Sequence, residues 1–290
     1  MISTFSIALI VNTYNQPEYL RRVLRGISKL SVRPAEVLIA DDGSTDDTKA
    51  VIEEASRNSK VAYRHIWQTD DGFRRAQILN KAVASTACDY VIFLDGDTVP
   101  HPDFVRDHGL VARPGCFVQG HRSFIGKRAA ERFGYGRLNH DRGLALLKWQ
   151  LDSLRNAFRW PYPVIRTRNN VKGVRGCNLG IWRKDLEAVN GYNEEFVGWG
   201  REDTDLTLRL LNRGLQRIDV RGWAVCYHLW HPTASRSRLN NNDNLLAETA
   251  ARGSHRCACG LDKYLLPARG IENLHATATG KSLKVPAPNF

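Results

Sequence analysis

Four short apolar runs in the first hundred residues are separated by helix-patterned segments, and three of them give way to a polar cluster. No other feature limits the fold so tightly. Residues 6–11, 37–40, 61–66 and 90–94 read as buried strands. Residues 19–30, with Leu20, Val23, Leu24 and Ile27 on one face, read as a helix, as do 48–56 and 75–84. Thr45 or Asp46 is placed to cap the second of these. Strands alternating with helices predict an α/β fold with a mixed, mostly parallel central sheet and helices on both faces. Ligands of such sheets bind beyond the carboxyl ends of the strands. Three clusters fall there: residues 13–15, Asp41-Asp42, and Asp95-Gly96-Asp97.

Composition bounds what such a sheet can belong to. With 290 residues, 42% of them hydrophobic, the chain can bury a substantial core, and global disorder is excluded. No apolar run approaches the ~18 residues of a membrane-spanning helix. The N-terminal residues lack a basic stretch and a small-residue cleavage site, so the apolar run 7–11 reads as a strand rather than a signal peptide. Six cysteines are scattered, and Cys257-Ala-Cys259 has no second pair to complete a zinc site. Reduced thiols in a cytoplasmic protein are the expectation.

The formal charge of +12 is concentrated. Residues 121–184 carry 15 basic and three acidic side chains, which alone match the whole excess. Such a block attracts polyanions: nucleic acid, anionic lipid, or an acidic or phosphorylated glycan. Leu144, Leu147, Leu151 and Leu154 recur at helical spacing among Lys148, Arg155 and Arg159. This pattern suits a helix lying on a membrane surface and equally an amphipathic helix packed on the domain.

Past residue 115 the pattern loosens. Residues 177–182 read as a short strand, 206–212 as a helix stopped by Gly214, and 225–229 as a last strand before His231-Pro232. Residues 236–290 form an Asn-, Arg- and Ala-rich extension, helical or irregular, with a loosely ordered end.

Asp95-Gly96-Asp97 follows an apolar strand, and its glycine permits a tight turn. Two clustered carboxylates repel unless a cation sits between them. Mg²⁺ or Mn²⁺ takes one or two carboxylates and completes its shell with phosphate oxygens and water. Two solvated aspartates in a turn would look the same locally. Asp41-Asp42 can accept hydrogen bonds from a base or a ribose, or merely shape a turn with Gly43 and Ser44. Glu202 and Asp203 read either as a base and its neighbour or as acids favoured at a helix start. Trp182 and Trp230 suit sugar stacking or core packing.

Seven ordered motifs carry a resemblance across residues 5–235. They are Ile10-Val11-Asn12-Thr13-Tyr14-Asn15, Ala40-Asp41-Asp42-Gly43-Ser44-Thr45-Asp46, Asp71-Gly72-Phe73-Arg74-Arg75-Ala76 with Asn80, and Phe93-Leu94-Asp95-Gly96-Asp97. Arg175-Gly176-Cys177-Asn178, Asn190-Gly191-Tyr192 and Trp199-Gly200-Arg201-Glu202-Asp203 complete the series. The chain resembles inverting family 2 glycosyltransferases of the GT-A fold. Its second half is similar to the galactosyltransferase-like module of chondroitin polymerases and β-1,4-galactosyltransferases.

That resemblance implies a GT-A domain over 1–235, with a nucleotide-sugar half (1–115) and an acceptor and catalytic half (116–235), then the extension 236–290. It implies a UDP-sugar donor lined by Asn12, Thr13, Tyr14, Asn15, Asp41 and Asp42, with Asp42 meeting the uracil. Arg74 or Arg75 would lie near the base or diphosphate, and Asn80, Asp95 and Gly96 complete the donor site. Trp199 would wall the sugar. Asp97 would ligate Mn²⁺ or Mg²⁺, joined by His228 or His231, with the choice open. Asp203 matches the general base and Glu202 its acceptor-side neighbour. The expected reaction is inverting transfer to a glycan or lipid-linked glycan, anionic acceptors included, in bacterial lipopolysaccharide or capsule synthesis. The expected location is the cytoplasm, peripherally on the inner membrane through residues 121–184. Two other readings stand beside it. A nucleotidyltransferase would want a Gly-rich phosphate loop, and residues 7–17 hold no glycine. A nucleic-acid-binding protein would use the +12 but leave the acids idle.

Overall fold

The computed structural model describes residues 5–131, 133, 154–232 and 235–265. Its first four strands are β1 (Ile7–Thr13), β2 (Glu36–Asp41), β3 (Ala62–Trp67) and β4 (Tyr90–Asp95). They pair in parallel in the order β3-β2-β1-β4. Helices α1 (Pro17–Ile27), α2 (Asp46–Arg57) and α3 (Arg75–Ala84) connect them. The period-2 alternation of β1 decides which helices lie where. Ile7, Leu9 and Val11 pack with Leu20, Val23 and Leu24 of α1 and Val51 and Ile52 of α2. Ala8 and Ile10 face the other way, onto Ile78, Leu79, Ala82 and Val83 of α3. Leu9 is fully buried, so Leu9→Ala would cost about 2–5 kcal/mol.

The sheet continues through β9 (Leu179–Trp182), β6 (Cys116–Gly120), β10 (Gln216–Arg221) and β8 (Val164–Arg168), making eight strands. β9 runs antiparallel to both β4 and β6, so β6 points the same way as β4. β10 is parallel to β6, and β8 is antiparallel to β10. A second, three-stranded sheet orders β5 (Thr98–Pro100), β11 (Cys226–Leu229) and β7 (Arg122–Ile125). It brings the segment after Asp97 beside the strand that carries His228. The remaining helices are α4 (Phe104–Val111), α5 (Lys127–Glu131), α6 (Leu154–Ala157), α7 (Arg183–Ala188), α8 (Glu202–Asn212) and α9 (Leu239–Arg252).

Several boundaries differ from the sequence reading. Helix α1 starts at Pro17, where the missing N–H has no intrahelical partner to lose. Residues 176–178 form a 3-10 turn, and the strand begins only at Leu179. Helix α8 starts at Glu202 rather than 206, so three acids occupy its first turn, where the helix dipole favours them. The extension is built in: Thr249 of α9 donates to Asp205 of α8 (2.8 Å), and Leu261 joins the core. All six cysteines are free. Among the described residues no helix is long and apolar enough to cross a membrane. Leu144, Leu147 and Leu151, and the end of the extension beyond 265, lie outside the described residues.

Candidate active site

Arg75, the first residue of α3, is almost wholly buried and meets three carboxylates. Its guanidinium reaches Asp203 at 2.9 Å, Glu202 at 3.0 Å and Asp95 at 3.1 Å. These acids come from the start of α8 and the end of β4. Burial alone would lower the pKa of Arg75, but Asp203, Asp95 and Glu202 outweigh it and hold it well above the ordinary value. The acids feel the same confinement. Burial, then the charge of Asp203, pushes Glu202 up to about 7 against the pull of Arg75. Burial also raises Asp95, with Asp97 and Asp203 adding repulsion.

Asp203 is held on its other side as well. Its second oxygen accepts the Gly176 N–H at 3.0 Å. A Cβ at position 176 would collide with the Asp203 carboxylate, so only glycine permits this approach. Asp203 remains 22% exposed, whereas Glu202 is 8% exposed. Of the two acids, Asp203 is the one more open to solvent.

Two residues beyond Asp95, Asp97 lies between both candidate histidines. His231 Nε2 is 3.0 Å from one carboxylate oxygen and His228 Nε2 3.5 Å from the other. Ligand atoms of all three residues lie within 4.8 Å of one another. Burial pushes Asp97 up, but the bond to His231, the charge of His228 and the Thr98 hydroxyl outweigh it and keep it below the usual range. Burial pushes His228 down to about 4, so its ring is neutral at neutral pH, the state a metal ligand needs. One carboxylate with two imidazoles fits a divalent first-row ion. The structure thus offers both histidines.

The donor-side residues gather along the neighbouring strand ends. Asn12 pairs with Asp95 across β1 and β4, and Thr13 with Asp41 across β1 and β2. Asn12 Oδ1 and Thr13 Oγ1 are buried with no hydrogen-bond partner among the described residues. Gly96 packs against them: a Cβ there would sit 2.8 Å from the Asn12 carbonyl oxygen. Asp42 accepts from the Gln68 amide (2.6 Å) and the Arg74 N–H (2.8 Å). Burial pushes Asp42 up to about 6. Tyr14 is exposed and donates its hydroxyl to Asp70. Asn15, with φ of 46°, accepts from Thr45 N–H and so fixes the loop.

Not every residue singled out from sequence opens onto this cleft. Asp41 is buried, with its oxygens taken by the Ser44 N–H (2.9 Å) and by His65 (2.8 Å). Asn80 is fully buried and clamps the Tyr192 backbone and Glu194. Arg74 points to Asp71 rather than to the acids that Arg75 holds. Trp199 is 37% exposed, with the Arg236 guanidinium over its ring. Beside Arg74 a cavity of about 400 Å³ opens, lined by Glu195, Val197, Arg238 and Asn241, so the extension shares this cavity with the loop before α8. Gln68 and Arg122 escaped sequence reasoning. Arg122 lies within electrostatic reach of Asp95, yet nothing in its neighbours along the chain marks it.

Residues 8–151 match the model for glycosyl transferase family 2, and residues 160–232 match that for the N-terminal domain of galactosyltransferase. Among curated relatives, validoxylamine A glucosyltransferase of Streptomyces hygroscopicus subsp. limoneus is 24% identical over 76% of this chain and 51% of its own length. Chondroitin synthase of Escherichia coli is 22% identical over 77% of this chain and 34% of its own. The chain spans about half the length, or less, of these relatives. The solved structure of S. aureus TarS 1–349 in complex with UDP-GlcNAc superposes with a TM-score of 0.60 at 15% identity, covering 89% of this chain and 69% of that one. The fold is therefore GT-A; residues 8–151 belong to glycosyl transferase family 2, and residues 160–232 carry a galactosyltransferase-type second module.

Proposed function

We propose that the chain transfers a sugar, with inversion and with the help of a divalent cation, from a UDP-sugar to a hydroxyl of a glycan acceptor. The reading includes synthesis of a bacterial cell-surface polysaccharide, lipopolysaccharide or capsule, as its setting. One observation carries it: Arg75 ties the exposed carboxylate of Asp203 to Asp95, which stands two residues from the Asp97–His228–His231 cluster. In this reading a proton acceptor and a cation site stand on either side of Asp95, whose carboxylate feels the charge of both Asp203 and Asp97.

In this reading Asp203 takes the acceptor's proton as the hydroxyl attacks the anomeric carbon. Its two oxygens are bound to Arg75 and Gly176, but each keeps a lone pair for the incoming O–H. Arg75 fixes its direction, and Glu202 beneath accepts from the same guanidinium at 3.0 Å and helps keep it in place. Asp42 receives the base, Asn12 and Thr13 offer their idle polar atoms to the ribose and diphosphate, and Trp199 walls the sugar. Asp97, His228 and His231 would hold Mn²⁺ or Mg²⁺, which neutralises charge growing on the leaving diphosphate.

A melting-temperature screen of UDP-sugars with and without Mn²⁺ tests the donor reading, because a ligand that binds only the folded state raises the transition. Asp97→Ala is expected to erase the Mn²⁺-dependent part of that shift; an unchanged metal response would remove Asp97 from the ligand set. Asp203→Asn is expected to lower transfer by at least about 100-fold with UDP binding retained. Loss of UDP binding instead would take Asp203 out of the base role.

A further inference from the structure

A second concave site lies further along the same sheet edge. β6 and β10 run in the direction of β4, so Gly120 and Arg221, their last residues, end on the side where Asp95 ends. β8 returns antiparallel, which brings Val164 opposite Arg221. Between these ends is a cavity of about 200 Å³, lined by His121, Trp160, Arg166, Arg168 and Arg221 over a floor at Asp219.

Its charge is unbalanced. Asp219 is the one carboxylate in the lining, and it is already committed: Arg217 binds one oxygen at 2.7 Å and Arg168 pairs with the other. Arg166 and Arg221 have no carboxylate partner among the described residues. Arg221 Nε is buried with no hydrogen-bond partner among the described residues, a donor that ordinarily costs stability unless something accepts from it. The field is felt next door: burial first, then Arg221, Arg217 and Arg168, hold His121 below its ordinary value.

The wall is rigid and carbohydrate-compatible. Gly222, with φ of 81°, lets the Trp160 ring pack over its backbone, and a Cβ there would sit 2.6 Å from the ring. Trp160 is pinned further by its N–H to the Gly222 carbonyl (2.7 Å) and by the Trp223 indole N–H to its own carbonyl (3.0 Å). Tyr162 stands 86% exposed beside it. Aromatic faces beside guanidinium forks suit an anionic sugar: the ring covers the apolar face, and the fork takes the oxyanion.

We infer that this cavity is an acceptor subsite that recognises an oxyanion, carboxylate or phosphate, on a glycan chain whose end lies at Asp203. The inference rests on the transferase reading. Arg122, the residue after His121, already interacts with Asp95, so a chain lying along the edge passes from one site to the other.

The full chain is titrated calorimetrically, with and without UDP and Mn²⁺, against three probes. These are a hexuronate tetrasaccharide, an oligo(glycerol phosphate) of similar length, and the carboxyl-reduced, neutral tetrasaccharide. At least one anionic probe is expected to bind at least about tenfold more tightly than the neutral one, and the better of the two identifies the source of the charge. Arg166→Gln with Arg221→Gln is expected to weaken it by roughly tenfold or more. Arg252→Gln, an exposed cation on α9, is expected to leave it unchanged. Anionic probes that bind no better than the neutral one, or equally well to the double variant, would overturn the proposal. UDP binding by the same samples reports on the transferase reading separately and confirms that the variants are folded.

Discussion

At the scale of single residues, neighbours in sequence take opposite jobs because their surroundings differ. Asp41 and Asp42 are adjacent, yet Asp41 is spent on Ser44 and His65 while Asp42 faces Arg74 N–H and Gln68. With its carboxyl raised to about 6 by burial, Asp42 is ionised at pH 7 and neutral below its own pKa. Affinity for a UDP-sugar, whose phosphates stay ionised throughout, is therefore expected to fall as pH drops through about 6. Asp42→Asn should flatten that dependence, and an unchanged profile in the variant would assign the titration elsewhere. Gly176 offers a second test. Gly176→Ala forces the Asp203 carboxylate aside, so kcat is expected to fall by at least about tenfold with UDP affinity intact. Wild-type kcat in that variant would mean Asp203 can be displaced without consequence. The strand-end acids and the glycine were visible in the sequence. That Asp41 turns inward was not, because its partner His65 sits on a different strand.

Within one element, helix α8 separates chemistry from structure by a single turn. Asp203 looks into the crevice, whereas Asp205 is fully buried, bound by Arg209 at 2.8 Å and by Thr249 at 2.8 Å. Arg209 continues to the carbonyls of Val189 and Gly191, so the pair locks α8, the loop before it and α9 together. Asp205→Ala leaves a buried guanidinium uncompensated and is expected to cost about 3–5 kcal/mol in urea unfolding. Asp203→Asn should cost far less, and equal losses would contradict this division. The sequence pattern announced a helix after residue 205 and a glycine stop at 214. It did not show that the helix begins at Glu202, since acids in a first turn and acids in a loop read alike until the cap is seen.

For the whole molecule, two histidines outside the site couple stability to pH. Burial pushes both His101 and His108 down to about 4. The unfolded chain binds their protons near pH 6.5, and the native state refuses them until about 4. Stability is thus complete above pH 6.5 and declines as pH falls toward 4, by roughly 1 kcal/mol per pH unit for each histidine. His108→Gln, which keeps a group able to bond Asn178, is expected to shallow the fall of the urea midpoint; an identical slope would show that other groups dominate.

Periodicity and turn chemistry act over a few residues, and they were enough to dictate the first four strands, the helices between them, the two-faced sheet these form and the acids at its carboxyl edge; the strands β5 to β8 and β10 carry no comparable pattern and were set by packing. Contacts that bridge long stretches of chain were decided only by packing. Arg75 meets Asp203 across 128 positions, and Asp97 gathers one histidine from a strand, and a second from just past its end, more than a hundred residues away. Nor does local pattern reveal that α9 and Arg74 line one cavity, or that Arg166 and Arg221 share another in which neither has a carboxylate partner among the described residues. Side chains brought together by folding change one another's charge and reach, and no short window of sequence contains both partners.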